Sequence, residues 1–225
     1  MIEQRICDAI GVICRDLAQR QPSAPLSAQQ TYNELVLCIL GSQVSHEMSL
    51  AAFARLRRLR LVTPSHGLGR QRQRYRQRVE AALLSPLRIG RYRFPRVAAE
   101  RLARLAAAFP AGPKDLLKLM RTHSDARDLR RELTRLRCGV GPKQASLFLR
   151  NVGTSNDLAV LDTHSLRFMR IVGLAPSAAP PRDLRDYEER EERLRAYALG
   201  FAQPIGLFDA ALWIVMRAAR SARVA

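Results

Sequence analysis

The chain has 225 residues, of which 47% are hydrophobic, and its 38 lysines and arginines against 20 acidic residues give a formal net charge of +18. This apolar fraction supports one large or two small folded domains and excludes a disordered chain. No stretch approaches the roughly 18 consecutive apolar residues of a membrane-spanning helix, so we expect no membrane partner. The positive charge instead favours a polyanionic partner, of which nucleic acid is the commonest.

The cysteine and histidine pattern predicts neither disulfides nor a metal site. The four cysteines show no paired spacing, and the four histidines are scattered along the chain. These features are typical of reduced thiols in a cytosolic protein without zinc. The first residues carry charges within their apolar stretch and lack a small-residue cleavage site, unlike a signal peptide. We therefore expect a cytoplasmic protein without a bound metal.

Helical periodicity runs through nearly every long segment, and no segment alternates for long enough to predict a sheet. Thr31 supplies a cap-like residue at the start of the second helix, Pro95 suits a first helical position, and turns are expected at 21–27 and 63–69. The predicted helices are, in order, Ile2–Gln19, Thr31–Leu40, His46–Leu61, Val79–Leu84, Pro95–Phe109, one within 110–121, Asp125–Leu136, Gln144–Asn151, Thr163–Val172, Tyr187–Leu199 and Leu207–Arg220. The predicted fold class is all-α.

The positive charge is concentrated in residues 55–104, which hold 15 arginines and two acids. Within this region, the stretch 69–78 reads GRQRQRYRQR, and its guanidinium groups suit phosphate contacts that fix position without reading sequence. Arg72 and Arg74 are its candidate DNA contacts. An arginine-rich composition that only covers a solvated surface is the alternative. Residues 183–195, in contrast, alternate in sign and are typical of a solvated helix face.

The most informative motif is Gly139-Val140-Gly141, which separates two predicted helices. Two glycines around one apolar residue permit a tight turn whose backbone N–H groups, at the start of the next helix, can bind a phosphate. An ordinary helix–helix turn has the same pattern. Lys143 follows at the start of that helix and is one of only three lysines. The positive end of the helix favours its unprotonated amine, which is a nucleophile.

Asp162 lies in the segment AVLDTHSLRFM, just before an apolar helix. An aspartate in that position is a typical N-cap. A capping carboxylate can also face a cationic centre, and cleavage of a glycosidic bond develops positive charge on the sugar. The two roles are compatible, so Asp162 is a candidate both for capping and for catalysis.

Together these segments resemble a known family. CGVGPKQASLFLRNVG followed by LAVLDTHSLRFM is similar to the core of the helix-hairpin-helix DNA glycosylases, and CILGSQVSHEMSLAAFARL at 38–56 resembles their helix-loop-helix. The residues at 143–151, Arg-Phe-Pro at 93–95 and Leu-Trp-Ile at 212–214 are most similar to the second family of 8-oxoguanine DNA glycosylases, the compact archaeal and bacterial enzymes. The resemblance covers roughly residues 31–217.

The resemblance implies a bifunctional DNA glycosylase/lyase that acts on duplex DNA carrying a damaged base. Lys143 would attack C1′ of the damaged nucleotide, expel 8-oxoguanine and hold the sugar as an imine until β-elimination cuts the strand. Asp162 would stabilise the charged sugar and orient or deprotonate the amine. Both residues stand at the positions that match the family's motif.

The same resemblance assigns DNA-holding roles to other residues. The hairpin N–H groups would bind a phosphate, often with a monovalent cation between them. Gln43 would enter the duplex and fill the gap left by the flipped base. Phe94 and Trp213 match aromatic positions of the family and would line the base pocket, with a core aromatic as the alternative for each.

Several departures from the family pattern bear on the lesion more than on the reaction. Cys138 precedes the hairpin in place of Pro or Lys, Pro142 removes one backbone donor, and the chain ends SARVA, without the C-terminal lysine that contributes to base recognition. No cysteine follows Cys138, so we expect no iron–sulfur cluster. The alternatives are the same fold acting on an oxidised pyrimidine, a non-catalytic hairpin module that binds DNA, and an arginine-rich protein that binds RNA or acidic membranes.

The family architecture implies two helical subdomains with a DNA-binding cleft between them. Residues 31–154 would form the subdomain with the hairpin, and residues 1–30 with 155–225 would form the other. Asp162 would then lie near the seam. We expect the protein to act as a monomer.

Overall fold

The computed structural model describes residues 2–19, 25–63 and 69–221. These residues form eleven α-helices and no β-strand, which confirms the all-α fold class. The helices are α1 Ile2–Gln19, α2 Ala28–Leu40, α3 His46–Arg58, α4 Arg72–Leu84, α5 Pro95–Ala108, α6 Pro113–Arg121, α7 Ala126–Arg135, α8 Pro142–Asn151, α9 Thr163–Ile171, α10 Leu184–Ala198 and α11 Ile205–Ser221. Of the turns predicted at 21–27 and 63–69, residues 21–24 and 64–68 lie outside the described residues.

The chain folds as two compact units. Pro25–Val152 forms one, called here the hairpin unit, which contains α2 to α8. The described residues before and after it form the other, called here the terminal unit, which contains α1 and α9 to α11. The hairpin motif and Lys143 therefore belong to one unit, and Asp162 belongs to the other.

In the hairpin unit, α2 is the central helix and packs against α3, α5, α6 and α8. Its residues Leu35, Val36 and Leu40 have no exposed surface, since they recur at the spacing that places them on the buried side of a helix. The pairs α4–α5 and α7–α8 pack beside it. The hairpin between α7 and α8 is thereby fixed to the core through α8.

In the terminal unit, α11 packs against α1, α9 and α10. Phe168 and Phe208 are fully buried and meet at 6.0 Å between ring centroids. Tyr197 packs edge-on against Phe168, and Phe201 packs against Phe208 at 4.9 Å. Aromatic packing of this kind fixes α9, which begins directly after Asp162.

The second helix starts earlier than its sequence pattern predicts. It begins at Ala28, and Ser27 is the N-cap: the Ser27 hydroxyl accepts from the Gln30 N–H at 3.3 Å, and Gln30 Oε1 accepts from the Ser27 N–H at 2.9 Å. This reciprocal pair is a capping box. Thr31, expected as a cap-like residue, is instead buried inside the helix.

The arginine stretch is helical as well. The pattern predicts a short helix over Val79–Leu84, whereas α4 begins at Arg72. Tyr75 and Val79 are buried one turn apart, and Tyr75 donates a hydrogen bond to the Leu61 carbonyl at 2.7 Å. Because those two residues anchor the buried face of α4, Arg72, Arg74 and Arg78 on its other sides are exposed to solvent.

The sequence also predicts that no helix spans a membrane and that the cysteines are reduced thiols. Among the described residues, no single helix is both long and apolar enough to cross a membrane, although Leu184–Phe201 and Ile205–Ala219 pass that test together, by length and composition, with a bend of 88° between them. Each of the four cysteines is a free thiol in the structure.

Tyr92 anchors the end of α2. Its buried hydroxyl donates to the Leu40 carbonyl at 2.6 Å, immediately before the loop that carries Gln43. Burial raises the pKa of Tyr92 to about 12, partly offset by Arg101, so the hydroxyl stays protonated and donates.

We expect Tyr92→Phe to lower the free energy of unfolding by about 1 kcal/mol, because the buried Leu40 carbonyl loses this donor. Urea denaturation measures the difference. Tyr32→Phe is the matched control, since the Tyr32 ring is buried but its hydroxyl makes no hydrogen bond to the described residues. A loss in Tyr92→Phe no larger than in Tyr32→Phe would contradict the role of the hydrogen bond.

Candidate functional site

The predicted hairpin is present between α7 and α8. Gly139 adopts a left-handed backbone with φ of +86°, and Gly141, in an extended conformation, is the N-cap of α8. Val140 between them is buried, and Pro142 is the first helical residue. No side chain caps the amides of the first turn of α8. The hairpin therefore leaves backbone donors at a helix N-terminus open to an anionic ligand.

A buried arginine joins the two helices of the hairpin. Arg130, on α7, has no exposed surface, and its Nη1 donates to the Ser146 hydroxyl on α8 at 3.2 Å. The sequence pattern gave no indication of this role, because an arginine on an amphipathic helix is usually exposed. The hydrogen bond holds α7 and α8 in register around the turn.

Lys143 is the second residue of α8 and is partly buried. It lies close enough to Cys38 on α2 for its charge to act on that thiol. Burial, reinforced by Glu34, raises the pKa of the Cys38 thiol well above its usual range despite the cations of Arg150 and Lys143. A thiol that stays protonated is a poor nucleophile, so the Lys143 amine, and not Cys38, is the candidate nucleophile at this position.

Asp162 is the N-cap of α9, as the sequence predicts. Its Oδ1 accepts from the backbone N–H of His164 at 2.7 Å and of Ser165 at 3.0 Å. Oδ2 accepts no hydrogen bond from the described residues. One oxygen therefore performs the capping, and the partly exposed carboxylate keeps the other for a ligand.

The position of Asp162 depends on the buried, non-helical segment that precedes it, Leu158–Leu161. Its polar backbone groups are paired with side chains from α10 and α11. Glu191 Oε1 accepts a hydrogen bond from the Ala159 N–H at 2.8 Å, and Asp209 Oδ2 accepts one from the Val160 N–H at 3.1 Å. Tyr187 Oη accepts from the Leu161 N–H at 3.1 Å and donates to the Ala159 carbonyl at 2.8 Å. Asp209 Oδ1 also accepts from the Ser165 hydroxyl at 2.7 Å, which ties the segment to α9.

The expectation that residues 183–195 form a solvated helix face is wrong at three positions, Tyr187, Glu191 and Leu194, which are buried. Tyr187 and Glu191, one turn apart on α10, are 3% and 2% exposed. They face the segment Leu158–Leu161, whose N–H groups need acceptors once that segment is buried. A one-dimensional pattern cannot show that requirement, because it arises only when two parts of the chain meet.

The two aromatic candidates lie in different units. Trp213, on α11, is 36% exposed, packs edge-on against the His164 ring at 6.4 Å and carries the Arg217 guanidinium over its face at 4.9 Å. His164 lies in the first turn of α9, which Asp162 caps, so Trp213 contacts that turn. Phe94, the N-cap of α5 in the hairpin unit, is partly buried beneath the Arg93 guanidinium at 4.9 Å.

The remaining candidates lie on exposed parts of the hairpin unit. Gln43 is exposed in the loop between α2 and α3 and has a left-handed backbone with φ of +61°, which is strained for a residue with a side chain. Arg72 and Arg74 are exposed on the first turn of α4. Arg72 is paired with Glu100 at 3.1 Å, whereas Arg74 forms no ion pair with the described residues.

The structure thus groups the candidates into two sets. Gly139, Val140, Gly141 and Lys143 lie at the hairpin, whereas Asp162 and Trp213 both belong to the terminal unit, where Trp213 contacts the helix that Asp162 caps. Within the described ranges, no three His, Cys, Asp or Glu side chains lie close enough together to hold a metal ion.

Comparison with known proteins identifies the family. The sequence model of the Ogg-HhH family, described as 8-oxoguanine DNA glycosylase, matches residues 20–202. This chain belongs to that family. The resemblance inferred from the sequence motifs is confirmed.

Relatives within the 8-oxoguanine DNA glycosylase family support the assignment. The 8-oxoguanine DNA glycosylase/AP lyase of Thermotoga petrophila is 42% identical over 79 residues, which span 35% of this chain and 38% of that protein. The protein of the same name from Saccharolobus islandicus is 35% identical over 91 residues, or 40% and 43% of the two chains. The chain therefore matches less than half the length of these curated relatives.

Solved structures extend the likeness over the whole fold. The Methanocaldococcus jannaschii 8-oxoguanine DNA glycosylase is 25% identical, covers 94% of this chain and 86% of its own, and superposes with a TM-score of 0.67. The 8-oxoguanine DNA glycosylase of Thermotoga maritima is 26% identical, with 93% and 88% covered and a TM-score of 0.65. The M. jannaschii enzyme in complex with a 15mer DNA containing 8-oxoguanine gives a TM-score of 0.66 at 25% identity, with 94% and 89% covered.

The hairpin geometry predicts that Gly139→Ala is costly. A β-carbon on Gly139 would lie 2.2 Å from Arg101 Cδ, and the backbone φ of +86° would strain any side chain. We expect the free energy of unfolding to fall by about 2 kcal/mol or more. Gly153→Ala is the matched control, because Gly153 has φ of +74° with no atom within 4 Å of its β-carbon position. Equal losses in the two variants would show that the contact with Arg101 contributes nothing.

The buried acceptors beside Asp162 give a second prediction. In Asp209→Asn one carboxylate oxygen becomes an amide nitrogen that cannot accept. Either the Val160 N–H then loses its acceptor, or the Ser165 hydroxyl keeps only the Val160 carbonyl, and in both orientations the charge-assisted hydrogen bonds of the carboxylate are lost. We expect a loss of about 2 kcal/mol in urea denaturation. The control is Glu189→Gln, which removes an exposed carboxylate paired with Arg185 at 3.0 Å and should change stability by no more than about 0.5 kcal/mol. An Asp209→Asn variant as stable as this control would contradict the role of this buried acceptor in holding the segment before Asp162.

Proposed function

We propose that this protein is a DNA glycosylase with AP lyase activity that removes 8-oxoguanine from duplex DNA. The observation that carries the proposal is the position of Lys143. It is a partly buried amine in the first turn of α8, directly after an uncapped Gly-Val-Gly hairpin, in a chain of the 8-oxoguanine DNA glycosylase family. The names of the relatives and the DNA complex of the M. jannaschii enzyme support it.

In the proposed reaction, the unprotonated Lys143 amine attacks C1′ of the damaged nucleotide. The N–C1′ bond forms as the bond from C1′ to the base breaks, and the base leaves with the bonding electrons and takes up a proton. The sugar ring then opens to an imine on Lys143. Loss of a C2′ proton and departure of the 3′ phosphate cut the strand, and hydrolysis frees the amine.

Asp162 is proposed to face the sugar with its second carboxylate oxygen. A carboxylate stabilises the positive charge that develops on the sugar and can accept the proton of the attacking amine. The capping hydrogen bonds fix this carboxylate in one orientation, because both N–H groups bind Oδ1. The hydrogen bonds that Glu191, Asp209 and Tyr187 make to residues 158–161 hold the backbone immediately before Asp162.

The hairpin, Gln43, the arginines and the exposed aromatics are proposed to hold the DNA. The N–H groups at the start of α8 are proposed to bind a phosphate, with a monovalent cation between them as the only proposed cofactor. Gln43 fills the gap left by the flipped base, for which its exposed, strained loop position is suited. Phe94 and Trp213 line the base pocket, and Arg72 and Arg74 bind backbone phosphates. The protein is proposed to act as a monomer on cytoplasmic, nucleoid DNA.

Borohydride trapping tests the mechanism and the lesion together. On a duplex with one 8-oxoguanine opposite cytosine, we expect a covalent adduct with the native protein and none with Lys143→Gln. Lys118→Gln, at an exposed lysine of α6, is the matched control and should trap as the native protein does. Asp162→Asn keeps an N-cap side chain, so we expect little loss of stability but a base-excision rate lower by about two orders of magnitude.

The other outcomes separate the alternatives. Trapping on an abasic site, but not on 8-oxoguanine, would retain the chemistry and assign another lesion, such as an oxidised pyrimidine. Trapping on neither substrate, with binding to duplex DNA intact, would show that the hairpin serves a non-catalytic DNA-binding protein.

A further inference from the structure

We propose that Arg101 is part of the hairpin phosphate site and donates to the same DNA phosphodiester as the hairpin backbone. This inference rests on the proposed function and adds a residue to it. Arg101 lies on α5, outside the hairpin motif, and the sequence pattern does not distinguish it from the other arginines of residues 55–104.

The first observation is direct contact. A β-carbon on Gly139 would lie 2.2 Å from Cδ, 2.3 Å from Cγ and 2.7 Å from Nε of Arg101. The Arg101 side chain therefore lies against the face of Gly139 that any other residue would fill. Since Nε is the first nitrogen of the guanidinium, the charged group lies beside the turn.

The second observation concerns charge. Arg101 is partly buried, and no carboxylate of the described residues pairs with it. Its neighbour Glu100 pairs instead with Arg104 at 3.0 Å and Arg72 at 3.1 Å. Partial burial of a guanidinium that has no acidic partner costs free energy unless an anion pairs with it. A phosphate can pair with a guanidinium through two parallel hydrogen bonds.

The third observation is the donor that the hairpin lacks. Pro142 has no backbone N–H, so the first turn of α8 offers one donor fewer than a hairpin without proline at this position. The guanidinium of Arg101 supplies N–H donors on the same turn. Arg104, one turn further along α5, donates to the Arg137 carbonyl at 3.4 Å and helps to fix α5 against the hairpin.

Salt-dependent DNA binding tests this role. Arg101→Met keeps a stem that packs on Gly139 and removes the charge. With a duplex carrying an uncleavable abasic analogue, we expect affinity to fall about fivefold and the slope of log K against log salt to decrease in magnitude by about 0.9, the value for one phosphate contact. Arg101→Lys should restore the slope but only part of the affinity, because an ammonium lacks the planar fork.

The matched control is Arg185→Met on the acidic helix α10. It removes the same charge from an exposed arginine that is paired with Glu189. An unchanged slope in Arg101→Met would show that this guanidinium meets no phosphate. An equal decrease in Arg185→Met would show that only net charge matters. Either result would overturn the proposal. If Arg101→Met unfolds, Arg101→Gln replaces it, with the same expected slope.

The native protein separates this inference from the proposed function. Native binding and borohydride trapping on an abasic duplex, together with an unchanged Arg101→Met slope, would refute the role of Arg101 alone. Failure of the native protein to bind DNA would overturn both proposals.

Discussion

A non-helical segment buried in a helical protein must find partners for its backbone N–H and C=O groups, and this requirement organises the terminal unit. Leu158–Leu161 cannot form a ladder, because no strand lies beside it among the described residues. Glu191, Asp209 and Tyr187 supply the partners from α10 and α11. As a consequence, the carboxylates of Glu191 and Asp209 are almost fully buried. Their hydrogen bonds fix the point at which α9 begins, and so fix the carboxylate of Asp162.

The hairpin differs from this buried segment, because side chains do not pair with the backbone N–H groups at the start of α8. Its backbone donors at the start of α8 receive no capping side chain, because the N-cap is Gly141. The turn is nevertheless rigid: Val140 is buried, Gly139 lies against Arg101, and Arg130 links α7 to α8. A rigid set of open donors binds an anion at little cost in ordering. Lys143 is held within this frame, which suits the proposed attack of its amine on one carbon atom of a bound nucleotide.

The large positive charge is concentrated in residues 55–104 rather than spread evenly. Among the described residues, four of the 15 arginines in this region pair with its two acids; Glu100, for example, pairs with Arg72 and Arg104. Such exposed pairs contribute little to stability and cancel part of the local charge. Most of the other arginines there, Arg101 and Arg74 among them, have no acidic partner among the described residues, and Arg101 is also partly buried. The net charge of +18 therefore favours a polyanionic partner, and the pairing pattern leaves most of these guanidinium groups available to it.

Local patterns were sufficient to predict the helices, the N-cap role of Asp162, the hairpin and the family, because each depends on residues close together in sequence. The start of α4 at Arg72 was missed because its arginine-rich repeat hides the buried face of Tyr75 and Val79. The burial of Glu191 and Asp209, the link from Arg130 to Ser146 and the contact of Arg101 with Gly139 were decided by tertiary structure alone. In each of these cases a polar side chain contacts a backbone group or a helix that is distant in sequence. The residue type alone does not indicate which partner the fold places beside it.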